Sequence, residues 1–146
     1  MTGPVPFPDA ETVVMDLIGT WIGDIAPVAY VATTIPDATD VAEGIRQGAA
    51  YIRVQRVGGN AINRVVDGAV IEIACITSTR AESWRILRAL HARLSGWYGD
   101  VQHRDGAAST VTGITETKAP TQYPELKPDE RRVKSTFMVK TRRPRR

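Results

Sequence analysis

Apolar and polar positions along the chain fall into three rhythms. Val13, Val14, Leu17, Ile18, Trp21 and Ile22 recur with a 3.6-residue period, which predicts an amphipathic helix. Asp9 is placed to cap it, Glu11 suits the positive end of its dipole, and Gly23 marks its end. Ala69 to Ile76 is an apolar, β-branched run broken only by Glu72. That length is a strand's, and apolar residues on both faces predict a central strand covered on each side by helix, loop or another subunit. Trp84, Leu87, Leu90, His91 and Leu94 then return to helical spacing. Thr79 and Glu82 form a capping box at the start of this second helix, and Gly96 is suited to a left-handed residue at its end.

The third rhythm is alternation. Residues 28–33 read as a short strand. Residues 51–57 alternate, with Ile52 and Val54 on one face and Tyr51, Arg53 and Gln55 on a half-exposed other face. Gly58-Gly59-Asn60 and Asp67-Gly68 are turn signals, so residues 58–67 are expected to form the extended tip of an antiparallel hairpin. Segment 37–49 is expected to be a loop with a short turn of helix, 96–108 a polar loop, and 118–131 an irregular stretch with three prolines. Residues 109–117 form a strand. In 132–142, Val133, Ser135, Phe137, Val139 and Thr141 share one face; Arg132, Lys134, Met138, Lys140 and Arg142 share the other. The order α-β-β-β-α-β-β, with hairpin connections too short for crossovers, predicts an α+β fold: a mostly antiparallel sheet of about five strands with two helices packed on it. The chain reads as one domain over 1–146, with an extended proline-rich arm at 1–8 and a basic tail at 142–146.

Composition changes this picture in one respect. Hydrophobic residues at 42% and charged residues at 24% are ordinary for a globular chain, and no run is long enough to span a membrane. The N-terminus lacks signal-peptide character, so synthesis in the cytoplasm is expected. The lone Cys75 falls inside the central strand and reads as a small buried hydrophobe. The net charge of +3, however, is unevenly spread. Residues 1–100 hold 8 basic and 11 acidic residues, a balance of −3, whereas 101–146 hold 11 and 5, a balance of +6.

Little in the chain points to catalysis. His91 and His103 form no metal-ligand spacing, no cofactor motif is present, and no serine sits in a nucleophile elbow. Gly58-Gly59-Asn60 lacks the helix and Lys-Ser/Thr of a phosphate loop. Glu72 is the odd carboxylate: either an acid or base in the core, or an ion-pair partner of Arg53, Arg56 or a neighbouring subunit's arginine. Arg142, Arg143, Arg145 and Arg146 either contact phosphates or form a solvated tail. The hairpin tip keeps Ile62, Val65 and Val66 beside Arg64, more apolar surface than a free loop needs, so it is expected to carry partner contacts.

Five features occur together. These are the N-terminal helix, a strand ending in Ile35-Pro36-Asp37, a strand running into Arg56-Val57-Gly58-Gly59, the Thr79–Trp84 helix start, and Tyr123-Pro124 before a basic strand at Thr136–Arg143. In this combination the chain resembles, over roughly residues 9–143, the tail terminator (tail completion) proteins of long-tailed non-contractile bacteriophages. The resemblance implies a non-enzymatic virion protein that needs no cofactor. It also implies a homo-oligomeric ring, a hexamer, which caps the tail tube, stops its polymerisation and meets the head connector. DNA would pass through the lumen without sequence-specific binding, and assembly would take place in the host cytoplasm. Partner-facing candidates are then Tyr51, Arg53, Gly58, Gly59, Asn60, Ile62, Arg64, Glu72 and the four C-terminal arginines. A head-side neck protein, a basic nucleic-acid-binding module and a small α+β enzyme are the competing classes.

Overall fold

A computed structural model describes residues 5–34, 43–122 and 132–144. Asp9 caps helix α1 (Ala10–Gly19), its side chain accepting from the Glu11 amide and the Thr12 hydroxyl. The helix stops at Gly19 rather than near Gly23, and a four-residue turn, α2 (Ile22–Ile25), continues it. Strand β1 (Ala29–Ala32) follows. Beyond it, residues 43–46 are helical, as expected; Ile35-Pro36-Asp37 and residues 37–42 lie outside the described residues.

Strands β2 (Ala50–Ala61) and β3 (Val66–Ile76) form the antiparallel hairpin. Helix α3 (Arg80–Leu94) begins at Thr79, whose hydroxyl accepts from the Glu82 amide at 3.1 Å. Only that half of the capping box forms, because the Glu82 carboxylate turns to Arg85 instead. Gly96 takes the left-handed conformation after the helix, with φ +79°. The chain then makes β4 (Gly99–Gln102), β5 (Ala108–Gln122) and β6 (Val133–Arg142).

These strands form one mixed sheet in the order β1-β2-β3-β6-β5-β4. The sheet is mostly antiparallel, as expected, with two departures from the reading of about five strands joined by hairpins. A sixth strand, β4, lies within the stretch read as the 96–108 loop. It was missed because one apolar residue, Val101, leaves no period to read. The β1–β2 pair is parallel, and the long connection between these strands makes that crossover possible. In addition, β5 runs on through Gln122, so the irregular segment expected from 118 begins as strand.

Both long helices pack on one face. Val13, Val14, Leu17 and Ile18 from α1, and Ile86, Leu87, Leu90 and Leu94 from α3, meet Ile52, Val54, Ile71, Ile73, Cys75, Phe137 and Val139. Burying each large apolar side chain is worth about 1.5–3 kcal/mol. Helix α1 touches β2 near one edge of the sheet and β4 at the other, so the sheet curls around the helices. Trp21 and Trp97 meet edge to face across that seam. Burial of Cys75 pushes its thiol up to about 12.

On the second face, the described residues supply cover at one end. Ile45, Ala49, Tyr51 and Ile76 close its lower end. Above them Val70, Glu72, Lys134 and Met138 are half-buried, and Lys140 and Arg142 are exposed.

Candidate functional site

The predicted hairpin exists, but its turn sits elsewhere. Gly58, Gly59 and Asn60 are strand residues paired with Val70, Ala69 and Gly68, just past a β-bulge between Arg56 and Gly58. Gly59 has φ +97°, and a Cβ there would stand 2.1 Å from the Gly68 carbonyl oxygen, so only glycine fits. The turn proper spans residues 62–65. Asn63 organises it: its Oδ1 accepts from the amides of Val65 at 2.8 Å and Val66 at 2.9 Å. Such an Asx turn is a local signal, and the glycines upstream drew attention away from it.

Arg56, opposite Ile71 and in step with Ile52 and Val54, faces the helix side, where it grips the buried Asp67 with two hydrogen bonds, at 2.8 and 3.3 Å. Its amide donates to Glu11 of α1 at 2.8 Å, closing part of β2's open edge. Beyond this clamp the hairpin has little on it: Val57, Ile62 and Val65 are exposed, the last two at 54% and 44%. Ile62 leans back toward Gly68, where a Cβ would meet it and Met138.

The C-terminal arginines come to the same corner. Arg142 pairs with Val66 across the β3–β6 ladder, and the Arg143 amide donates to the Val65 carbonyl at 2.7 Å. The Arg143 guanidinium lies 4.2 Å from the Phe7 ring centre, which ties the N-terminal segment to this end. Of the four arginines, then, Arg143 is held within the fold and Arg142 is exposed; Arg145 and Arg146 lie outside the described residues. Ile62, Arg64, Val65 and Arg142 form one apolar and basic corner.

The other candidates lie toward the opposite end of the sheet. Glu72 pairs with Arg53 at 2.8 Å, one of the two readings the sequence left open, and Arg56 belongs to Asp67 instead. Tyr51 is not on an exposed face. It is 7% exposed, stacked on Tyr30 at 5.1 Å and packed with Ile45 and Ala49. The reason is the helical turn at 43–46, which covers this end.

One constellation had no signal in the sequence. His103, after β4, places Nδ1 2.5 Å from Asp16 of α1 and Nε2 2.7 Å from the hydroxyl of Ser109 on β5. The carboxylate and the imidazole are 87 residues apart, so no spacing rule could pair them. The line of groups has the order of a hydrolase triad, but Ser109 sits in a regular strand pair opposite Val101 rather than on a strained elbow. It fastens the seam where the sheet curls back to α1. The second histidine, His91, contacts Glu116 between α3 and β5. Among the described residues, no group of three or more His, Cys, Asp and Glu side chains could hold a metal ion.

A curled mixed sheet with helices on one face and, among the described residues, an uncovered hairpin corner defines an α+β domain. The chain belongs to the phage tail termination protein family, whose family model matches residues 6–146. It is thus a structural protein of the phage tail. Among curated proteins, no match is found.

Proposed function

We propose that this subunit assembles as a closed ring, a hexamer, at the head-proximal end of the tail. There it ends tail-tube growth and joins the tail to the head connector, and DNA passes through its lumen. Assembly takes place in the host cytoplasm. The docking surface is the corner made by Ile62, Arg64, Val65 and Arg142. The observation that carries this reading is the distal half of the β2–β3 hairpin: it runs past its helical cover and gathers Val57, Ile62 and Val65, three of the six exposed large hydrophobic side chains among the described residues, the others being Val28, Tyr30 and Tyr98. A ring built from one kind of subunit needs two different patches in contact. The corner is one of them, or the surface offered to the tube.

Replacing Ile62–Val65 with a two-residue Asn-Gly turn tests it. The variant should remain folded by circular dichroism yet leave tails unterminated and of irregular length in electron micrographs. Normal, joined tails would refute the assignment of the corner. Removing residues 142–146 should weaken ring formation or head joining more than duplex binding. Unchanged assembly with lost, salt-steep DNA binding would favour a nucleic-acid module instead.

A further inference from the structure

We propose that the second face of the sheet, the one turned away from the helices, is the surface that duplex DNA meets in the lumen, and that it touches the phosphate backbone through lysines without reading sequence. The inference rests on the reading of this subunit as part of a ring around DNA, and adds which face looks inward. Strand register collects the charges. Lys134, Lys140 and Arg142 alternate with the buried residues of β6. Lys118 of β5 stands opposite Thr136 of β6. Arg53 of β2 stands opposite Ala74 of β3, whose other neighbour is Lys134. Against these five cations the strands bring two carboxylates to the face. Glu72 pairs with Arg53, and Asp100, in register with Thr110 and Arg142, accepts from the Thr110 hydroxyl. The resulting balance of +3 equals the net charge of the whole chain, so everything else in the molecule sums to zero.

The layout of the charges selects the partner. Lys118, Lys140 and Arg142 are exposed and make no ion pair among the described residues. Lys140 has Gly68 on one side and Gly113 on the other, and a Cβ on Gly113 would meet nothing within 4 Å, so the ground beside the ammonium is open to close approach. From Lys134 to Arg142 the cations of β6 follow about 27 Å of strand, at about 3.4 Å per residue. An acidic side chain of a protein is best held by a fork of donors at one point. A row of flexible point charges, with Gln55, Thr115 and Thr136 on the same face, suits a partner whose charge repeats along a line. Duplex DNA is that partner, with one charge about every 1.7 Å of its axis. Tyr30 and Tyr51 stack on each other at the β1 edge, away from Lys118 and Lys140, so no ring is offered to unpaired bases where those lysines stand. The sheet curls toward the helices, so this face is convex and one copy offers a patch rather than a groove. Enclosure comes from the ring, and a patch that grips loosely lets DNA slide.

The test follows binding of the full chain to a short fluorescein-labelled duplex by anisotropy at several salt concentrations. The expected result is a dissociation constant of about 10⁻⁴–10⁻⁶ M that is indifferent to base sequence. Lys118→Gln and Lys140→Gln should each weaken binding and flatten the log–log salt slope by about 0.9. Arg88→Gln with Arg93→Gln, on the exposed side of α3, is the control and should change neither. Lys118→Glu with Lys140→Glu should abolish duplex binding while the protein stays folded by circular dichroism. In a complementation assay this pair should still give tails of regular length, because neither side chain belongs to the corner. Duplex binding that survives the pair, or that falls equally with the α3 arginines, would overturn the proposal. Unchanged duplex binding together with irregular tails would give the face to a protein partner and overturn the choice of DNA. Tail length reports the ring and the salt slope reports the face, so either reading can fail while the other stands.

Discussion

At its base, the β2–β3 hairpin buries Ile52, Val54, Ile71 and Ile73 under two helices. Past Arg56 the same two strands continue with no helix over β2 among the described residues, held by a guanidinium–carboxylate clamp, a glycine backbone contact and an Asx turn. The base is stabilised by burial, which tolerates shape changes at a graded cost. The distal half is stabilised by backbone geometry, which allows few residues at a few positions and almost any residue elsewhere. A hairpin extended beyond its own core has surface left for another molecule.

The largest effect should come from the base. Ile71→Ala should cost about 2–5 kcal/mol in denaturant unfolding, the range for removing a buried branched side chain. Cys75, fully buried on the same face, should then react faster with thiol reagents as the base opens more often. Gly59→Ala comes next, at about 2–3 kcal/mol, from the left-handed backbone and the contact with Gly68. It should disorder the distal half while leaving Cys75 protected; if Cys75 becomes reactive as well, the two halves are not separate.

These differences were unevenly legible. The base could be read from local pattern, because Ala69–Ile76 and the α3 stripe repeat within a few residues. The basic face of β6 was legible for the same reason. The distal half was misread: Gly58-Gly59 looks like a turn, but the glycines serve a bulge and a close approach, and Asn63 makes the turn. The corner joins Val65 to Arg143, and the seam joins Asp16 to His103. Such contacts are chosen by tertiary packing and leave no mark on neighbouring residues. β4 was too short to show a period.

Smaller effects sharpen the contrast. Ile62→Ser with Val65→Ser should change stability by only about 0.5 kcal/mol, as exposed substitutions do, and yet abolish tail completion in a complementation assay. A large loss of stability would place the tip in the core economy of the fold after all. The smallest effect belongs to a site outside the hairpin. The Arg85 hydrogen bond holds the exposed Glu82 carboxyl below its ordinary value of 4.5. A lowered carboxyl stabilises above its unfolded titration range and loses that contribution as pH falls through the lowered value. Glu82→Gln should therefore cost at most about 0.3–0.5 kcal/mol at neutral pH, as exposed ion pairs one helical turn apart do, and nothing in strong acid. A hairpin that responds to this substitution in amide-exchange measurements would mean that α3 controls it.

The sheet order places β6, made after all five other strands, between β3 and β5. Until Val133–Arg142 leaves the ribosome, β3 has a bare edge from Val66 to Cys75, and the β4–β5 pair has no neighbour to join. Insertion of that one strand unites the two halves and, in the same event, brings Arg142 and Arg143 to the hairpin turn. A chain that lacks β6 therefore lacks the contacts of Arg142 with Val66 and of Arg143 with Val65, and the two halves of the sheet have nothing to join them.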